Sequence, residues 1–213
     1  MSRAMQKTAI IVLEYHEKYF KQTLDCLEGV DADVFYAYRD GIGSMSRAYN
    51  DAYKRHVLGM QYEYVWFVSN ITFEKDLPNR LAKSMGSYGA IHPCFNSDHK
   101  HIQCDGSGLI KEIPFIEFTA PMFRTWVFER YFLDENYWYW FYDLIISKRM
   151  RENGIKMACN HSTPIGHVYL RNNKKEEISL LRNQLRNYRH KIEIKQLEQE
   201  YGKNWNQILF KYE

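Results

Sequence analysis

The sequence predicts an α/β fold, a mostly parallel sheet flanked by helices and followed by a C-terminal helical extension. Three observations point there. Short apolar runs rich in β-branched and aromatic residues recur along the first 95 residues, with amphipathic stretches between them. That alternation is the pattern of a parallel sheet covered by helices. The 213 residues are 45% hydrophobic and 26% charged, which suits one globular domain and excludes a disordered or collagen-like chain. From residue 174 onward, apolar residues recur at helical spacing.

Each element has its own reason. Residues 8–13, TAIIVL, are a continuous β-branched run, the mark of a strand buried on both faces. Residues 17–27 put Phe20, Leu24 and Leu27 on one helical face and stop near Gly29. Residues 33–38, DVFYAY, form a second strand that ends at the turn Arg39-Asp40-Gly41. Residues 44–58 read as helix, 62–68 (YEYVWFV) as a third buried strand, 77–85 as helix and 90–93 as a short strand. The polar stretch 96–107 is a loop and 109–119 is strand-like. Pro121 suits the first turn of a helix reaching about residue 131. A further helix covers 143–153, closed by Gly154 in the left-handed conformation, with short strands at 155–159 and 167–170. Ile178, Leu181, Leu185, Tyr188 and Ile192 then recur at spacings of 3 and 4. That stripe is too short for a coiled coil, so the helix is expected to pack on the domain, with a homodimer through it as the competing arrangement. The division expected is a main domain over 1–170 and a basic helical extension over 171–213.

Composition adds two features. Aromatic residues make up 16% of the chain, and 13 of the 34 lie between Phe115 and Tyr142. Residues 148–213 carry 14 Lys+Arg against 7 Asp+Glu, whereas the first 147 carry 15 against 19. A basic end of this kind either solvates a helix, the expectation here, or favours a polyanionic partner. Cys26, Cys94, Cys104 and Cys159 form no CxxC pair and suit a reducing compartment. The apolar run 9–13 and the aromatic run 137–142 are far too short for a signal segment or a membrane span. A cytoplasmic protein without a membrane span is expected.

Open parallel sheets bind ligands at the carboxyl ends of their strands. Those ends carry Glu14-Tyr15, Arg39-Asp40 and Ser69-Asn70. An acid, an arginine and an amide in such a crevice suit a base, a ribose or a diphosphate. The segment LDENYWYWFYD over 133–143 ends at Asp143. Aromatic and aliphatic neighbours there would raise the carboxyl toward the pKa of a useful base. An ion pair with Arg151, about 80° away on the same helix, is the competing structural reading. Trp138, Tyr139 and Trp140 are rings able to stack on a sugar or base, or to fill the core. His92, Cys94, His99, His101 and Cys104 lack the regular spacing of a zinc site, and an acceptor-facing loop is expected instead.

The register over 121–167 resembles the inverting family 2 glycosyltransferases of the GT-A fold. The matching residues are Leu133-Asp134-Glu135, then Asp143, Arg149-Met150-Arg151, Gly154 and His167. A looser resemblance covers 8–170, including the opening strand and the segment DGIGSMSRAYND with its helical Asn50. The resemblance implies a Rossmann-like GT-A sheet and a nucleotide-sugar donor, from which a hexosyl or pentosyl group passes to an acceptor hydroxyl with inversion. It puts Asp143 on the catalytic base. Glu14, Tyr15, Arg39, Asp40, Ser69, Asn70 and Arg149 are then expected around the donor. Met122, Arg124, Trp138 and Trp140 fall on the acceptor side, and His167 on the histidine that assists a metal or diphosphate. The family's Asp-x-Asp should fall near residues 68–72, which read Val-Ser-Asn-Ile-Thr. Mg²⁺ and Mn²⁺ prefer carboxylates, so the implied divalent cation lacks its usual ligands. Related phage enzymes glycosylate modified DNA bases, which makes a nucleic acid a candidate acceptor. A non-catalytic nucleotide-sugar or nucleic-acid binding module is the alternative.

Overall fold

The structure is a computed structural model that describes residues 7–14, 17–39, 43–96, 102–168 and 177–210. Tyr15, Asp40, His99 and His101 lie outside the described residues. The first half follows the expected alternation with one unexpected short strand, β4: β1 (Thr8–Glu14), α1 (Glu17–Leu27), β2 (Asp33–Tyr38), α2 (Met45–His56), β3 (Tyr64–Val68), β4 (Ile71–Thr72), α3 (Leu77–Ser84) and β5 (Ala90–Phe95). The second half runs β6 (Ile110–Ile113), β7 (Met122–Arg124), α4 (Thr125–Tyr131), α5 (Tyr142–Glu152), β8 (Met157–His167), α6 (Glu177–Tyr201) and α7 (Trp205–Phe210).

The strands form one sheet in the order β2-β1-β3-β7-β5-β8-β4, with β6 also on β8. Parallel pairing joins β1 to β2 and β3, and β5 to β8, while β7 runs antiparallel between β3 and β5. Five strands therefore share one direction and deliver their carboxyl ends to one edge. Period-two alternation feeds both faces. Ala9, Ile11, Leu13 and Phe67 join α2, α4, α5 and Leu197 of α6 in one core. Ile10, Val12, Trp66 and Val68 join α1 and α3 in the other. The first core absorbs much of the aromatic excess. Phe67 has Phe128, Phe118 and Tyr49 within 4.5, 4.9 and 5.2 Å between ring centroids.

Several boundaries differ from expectation. The 109–119 strand shrinks to β6, since Pro114 supplies no amide to continue the ladder and Phe118-Thr119 turn. Pro121 precedes a strand and not a helix. Its carbonyl and that of Thr119 accept from Phe67 N and Ser69 N, so this stretch extends β3. The two short strands after Gly154 are one strand, β8, whose register slips opposite Pro93/Cys94. Gly154 itself takes φ +69 after α5, the left-handed stop expected.

Cys94 and Cys104 are joined in a disulfide, against the expectation of scattered free thiols. His92 is a buried core residue whose Nε2 accepts from Ala120 N. Neither is a zinc ligand. Among the residues of α6 whose burial is described, Glu193 and Leu197 are buried, Leu185 and Ile192 are half-buried, and Tyr188 is 65% exposed, so Tyr188 leaves the expected stripe. Among the described residues, no helix is long and apolar enough to cross a membrane.

Candidate active site

The carboxyl ends of β1, β2 and β3 lead to Glu14, Arg39 and Ser69-Asn70. Arg39 is anchored there: its Nε donates to Gly43 O at 2.7 Å and its Nη2 to Tyr139 OH at 2.5 Å. Its guanidinium also lies 4.4 Å from the Tyr139 ring centroid. Ser69 is buried beside the Tyr49 phenol. Asn70 stands at φ +51, a left-handed conformation that asparagine tolerates. Its carbonyl accepts from Val168 N, and its Oδ1 is buried without a hydrogen-bond partner among the described residues. The neighbouring pairing Ile71↔His167 brings His167 to the same rim. Next to it, Gly166 passes so close to Thr72 that a Cβ would meet Oγ1 at 2.5 Å.

Asp143 occupies the first turn of α5, after Phe141 at φ +69. Its Oδ1 accepts from Leu144 N at 2.8 Å. The opposing wall is the stretch before β7. Ser147 Oγ donates to Asp143 O at 2.6 Å and accepts from Ile116 N at 3.0 Å, which clamps that stretch to α5. Glu117 follows, and its Oε1 accepts from Thr119 Oγ1 at 2.7 Å. Burial, then the charge of Glu117, pushes the Asp143 carboxyl up to about 7, against the pull of the Leu144, Asp143 and Phe118 amides. Burial raises Glu117 as well, with the Thr119 hydroxyl opposing. Two carboxyls in one apolar corner make the proton on Asp143 labile near neutrality.

The run 133–141 is fixed from below by α2. Asn50 Nδ2 donates to Leu133 O at 2.8 Å and to Glu135 Oε1 at 3.0 Å, and its Oδ1 accepts from Leu133 N at 3.1 Å. Ser46 Oγ donates to Tyr137 O and Met45 N to Trp138 O. From above the run is covered by α6. The Arg189 guanidinium lies 4.0 Å from the Trp138 ring centroid and that of Arg186 4.8 Å from Trp140, with His190 also on Trp140. These two tryptophans were expected to face an acceptor; their rings carry the helix.

Other expected residues also fall elsewhere. Met122 is fully buried in the sheet. Arg124 pairs with Tyr64 at the amino end of β3, where it donates to the Tyr88 and Gly86 carbonyls. Because β7 runs antiparallel, Arg124 lies at the amino end of β3, while Met122 pairs with Trp66 in the middle of it. Arg149 donates to Asp134 Oδ2 at 2.7 Å. Arg151 holds the Pro114 and Leu209 carbonyls, so it makes no ion pair with Asp143. Glu117 and Glu193 were not singled out in the sequence. For Glu117 the signal was there: a lone acid between Ile116 and Phe118 in an alternating run.

The metal expected with this fold finds a poor donor set. Ser69 and Asn70 offer a neutral hydroxyl and a neutral amide where carboxylates are preferred. No group of three His, Cys, Asp or Glu able to hold a metal occurs among the described residues. The nearest acids along the chain, Glu74 and Asp76, both face Arg80.

No protein-family model matches the chain, and no curated protein matches it by sequence. Solved structures do. The catalytic domain of Drosophila β1,4-galactosyltransferase 7, in complex with xylobiose, superposes with a TM-score of 0.57 at 14% identity, over 81% of this chain and 74% of that one. The fold is GT-A. GalNAc-T7 with UDP, GalNAc and Mn²⁺ gives 0.56 at 10% identity over 77% of this chain, which spans only 44% of the GalNAc-T7 chain. A197 from STIV gives 0.55 at 11%, over 76% and 86%. In this GT-A sheet the antiparallel strand between β3 and β5 is the element that brings Glu117 to the crevice.

Proposed function

We propose that this chain is an inverting glycosyltransferase of family 2 type, with Asp143 as the general base. One observation carries the reading: Asp143 sits in an apolar corner at the carboxyl edge of a GT-A sheet, with its carboxyl raised to about 7. A base poised there takes a hydroxyl proton at neutral pH far better than an ordinary aspartate, whose conjugate acid is too strong. The acceptor oxygen attacks the anomeric carbon as Asp143 takes its proton. The bond from that carbon to the diphosphate oxygen breaks, and the electron pair leaves with the nucleoside diphosphate. One displacement of this kind inverts the anomeric centre.

The donor would lie across Glu14, Arg39, Ser69 and Asn70, with Tyr15 and Asp40 expected beside it. A nucleotide-sugar donor is supported by the fold and by the UDP named for GalNAc-T7. Arg39 and His167 are the basic side chains at this rim, suited to diphosphate charge. The neutral Ser69-Asn70 pair does not fit a carboxylate-bound cation, and the mechanism routes no step through one. The acceptor hydroxyl is left to experiment. A nucleic-acid acceptor draws little support from the basic C-terminal part, where Lys148, Arg149, Arg151, Arg186 and Arg189 already contact other groups of the chain.

The test is a panel of UDP-, GDP-, ADP- and dTDP-sugars, read by thermal shift and by released nucleotide. At least one donor should raise the melting temperature and be turned over. Binding without release, whatever the acceptor mixture, would favour a non-catalytic binding module.

A further inference from the structure

Three consecutive backbone N–H groups, those of Trp138, Tyr139 and Trp140, converge on one carboxylate. Glu193 Oε1 accepts from Trp138 N at 2.7 Å and from Tyr139 N at 3.4 Å, and Oε2 accepts from Trp140 N at 3.3 Å. Successive amides arranged this way form an anion-binding nest. Glu193 has no solvent exposure, and its single cationic neighbour among the described ion pairs, Arg189, stands 3.6 Å away. Arg189 also donates to Asn136 O at 2.9 Å, just before the nest. A buried carboxylate is costly unless its oxygens are satisfied. Here the cost falls on a helix that already buries Leu197 by the hydrophobic effect, so the acid does something packing alone would not.

What it fixes is a short run that holds one candidate site residue and leads into another. Tyr139, in the middle of the nest, holds Arg39 through its hydroxyl and ring. Immediately after the nest, Phe141 makes the left-handed turn that starts α5 and presents Asp143. We propose that Glu193 is a positioning residue of the candidate active site: its carboxylate fills the 138–140 nest and so sets Arg39 on one side and Asp143 on the other. The C-terminal helix is thereby part of the site's frame. The catalytic consequence rests on the reading of Asp143 as base, but the nest does not, and the experiment needs no turnover.

The full-length chain and its Glu193→Gln and Glu193→Ala variants are compared in two measurements. Amide exchange by NMR reads the nest directly. Glutamine keeps one carbonyl oxygen and turns an NH₂ toward an amide, so at least one of the three amides should exchange about tenfold faster than in wild type. In the Ala variant, formate should restore near-wild-type exchange and the near-ultraviolet dichroism of Trp138 and Trp140, while chloride at equal ionic strength should not. Carbon-13 titration of the Asp143 carboxyl reads the positioning. Loosening the turn admits water beside Asp143, so its midpoint should fall toward the ordinary carboxylate range in Glu193→Gln. Glu117, which faces it, and the adjoining Tyr142, which feels both Asp143 and Arg39, are unchanged in composition. Wild-type exchange at all three amides in Glu193→Gln would overturn the proposal, as would an Asp143 titration that does not move. If the Ala variant does not fold, the Gln variant alone decides. Neither result depends on whether a sugar is transferred, so failure here is distinguishable from failure of the glycosyltransferase reading.

Discussion

At the scale of single residues, the proposed chemistry turns on how strongly Asp143 attracts a proton. Its carboxyl, raised from 3.8 to about 7, binds a proton in the folded chain over a window where the unfolded chain has lost it. Stability therefore falls as pH rises through that window, and the cost is complete above it. Asp143→Asn removes the cost while Oδ1 can still accept from Leu144 N. The variant should match wild type near about pH 4 and exceed it by roughly 1–2 kcal/mol at about pH 8; solvent reaching this half-buried carboxyl keeps the figure below the full shift. Urea unfolding at the two pH values measures this. Glu117→Gln removes the like charge, so Asp143 should ionise at lower pH. The acid limb of the pH–rate profile should move down in that variant, and an unmoved limb would remove Glu117 from the site. Asp143 stood out in the sequence as a candidate because a lone acid follows a dense aromatic run. The pairing of Arg149 with Asp134, fifteen residues earlier, was not legible because only the fold brings the two together.

At the scale of elements, the decisive unit is the run 133–141 held between α2 and α6. Asn50 supplies three hydrogen bonds beneath it and is buried. Asn50→Ala strands the Leu133 amide and carbonyl, and thermal unfolding should show a loss of about 2–3 kcal/mol. Arg47→Ala, which breaks only an exposed pair with Glu135, should stay within about 0.5 kcal/mol. Equal effects would mean that the run is not pinned through Asn50. The strands and helices of the first half could be read from period alone, since apolar runs and amphipathic stretches alternate cleanly there. The second half resisted that reading. Three residues of β7 are recruited between β3 and β5 by long-range pairing, and no local signal separates them from the helix that follows. In α6 the inward face includes the acid Glu193, which an apolar stripe does not reveal, and Tyr188 of that stripe is exposed.

At the scale of the whole molecule, the sheet order sets the crevice and the disulfide ties its border. Cys94 is the penultimate residue of β5, and its bond to Cys104 reinforces the bridge between Phe95 and Gln103. Closing so short a loop between the two cysteines is worth about 2–3 kcal/mol. Denatured without reductant, the chain should titrate two thiols, Cys26 and Cys159, and four after reduction, with a lower melting temperature. Four thiols from the start would refute the bond. Scattered spacing gave no hint of this pairing, because it depends on the bridge between Phe95 and Gln103.

The central claim, that Asp143 is the base of a sugar transfer, is tested most directly by comparing wild type with Asp143→Asn on the donor the panel identifies. Nucleotide release and the anomeric configuration of the product are both read by NMR. Wild type should give an inverted product, and the variant should lose at least about a thousandfold in kcat, with donor affinity unchanged. Retention of configuration, or a variant that turns over like wild type, would contradict the claim.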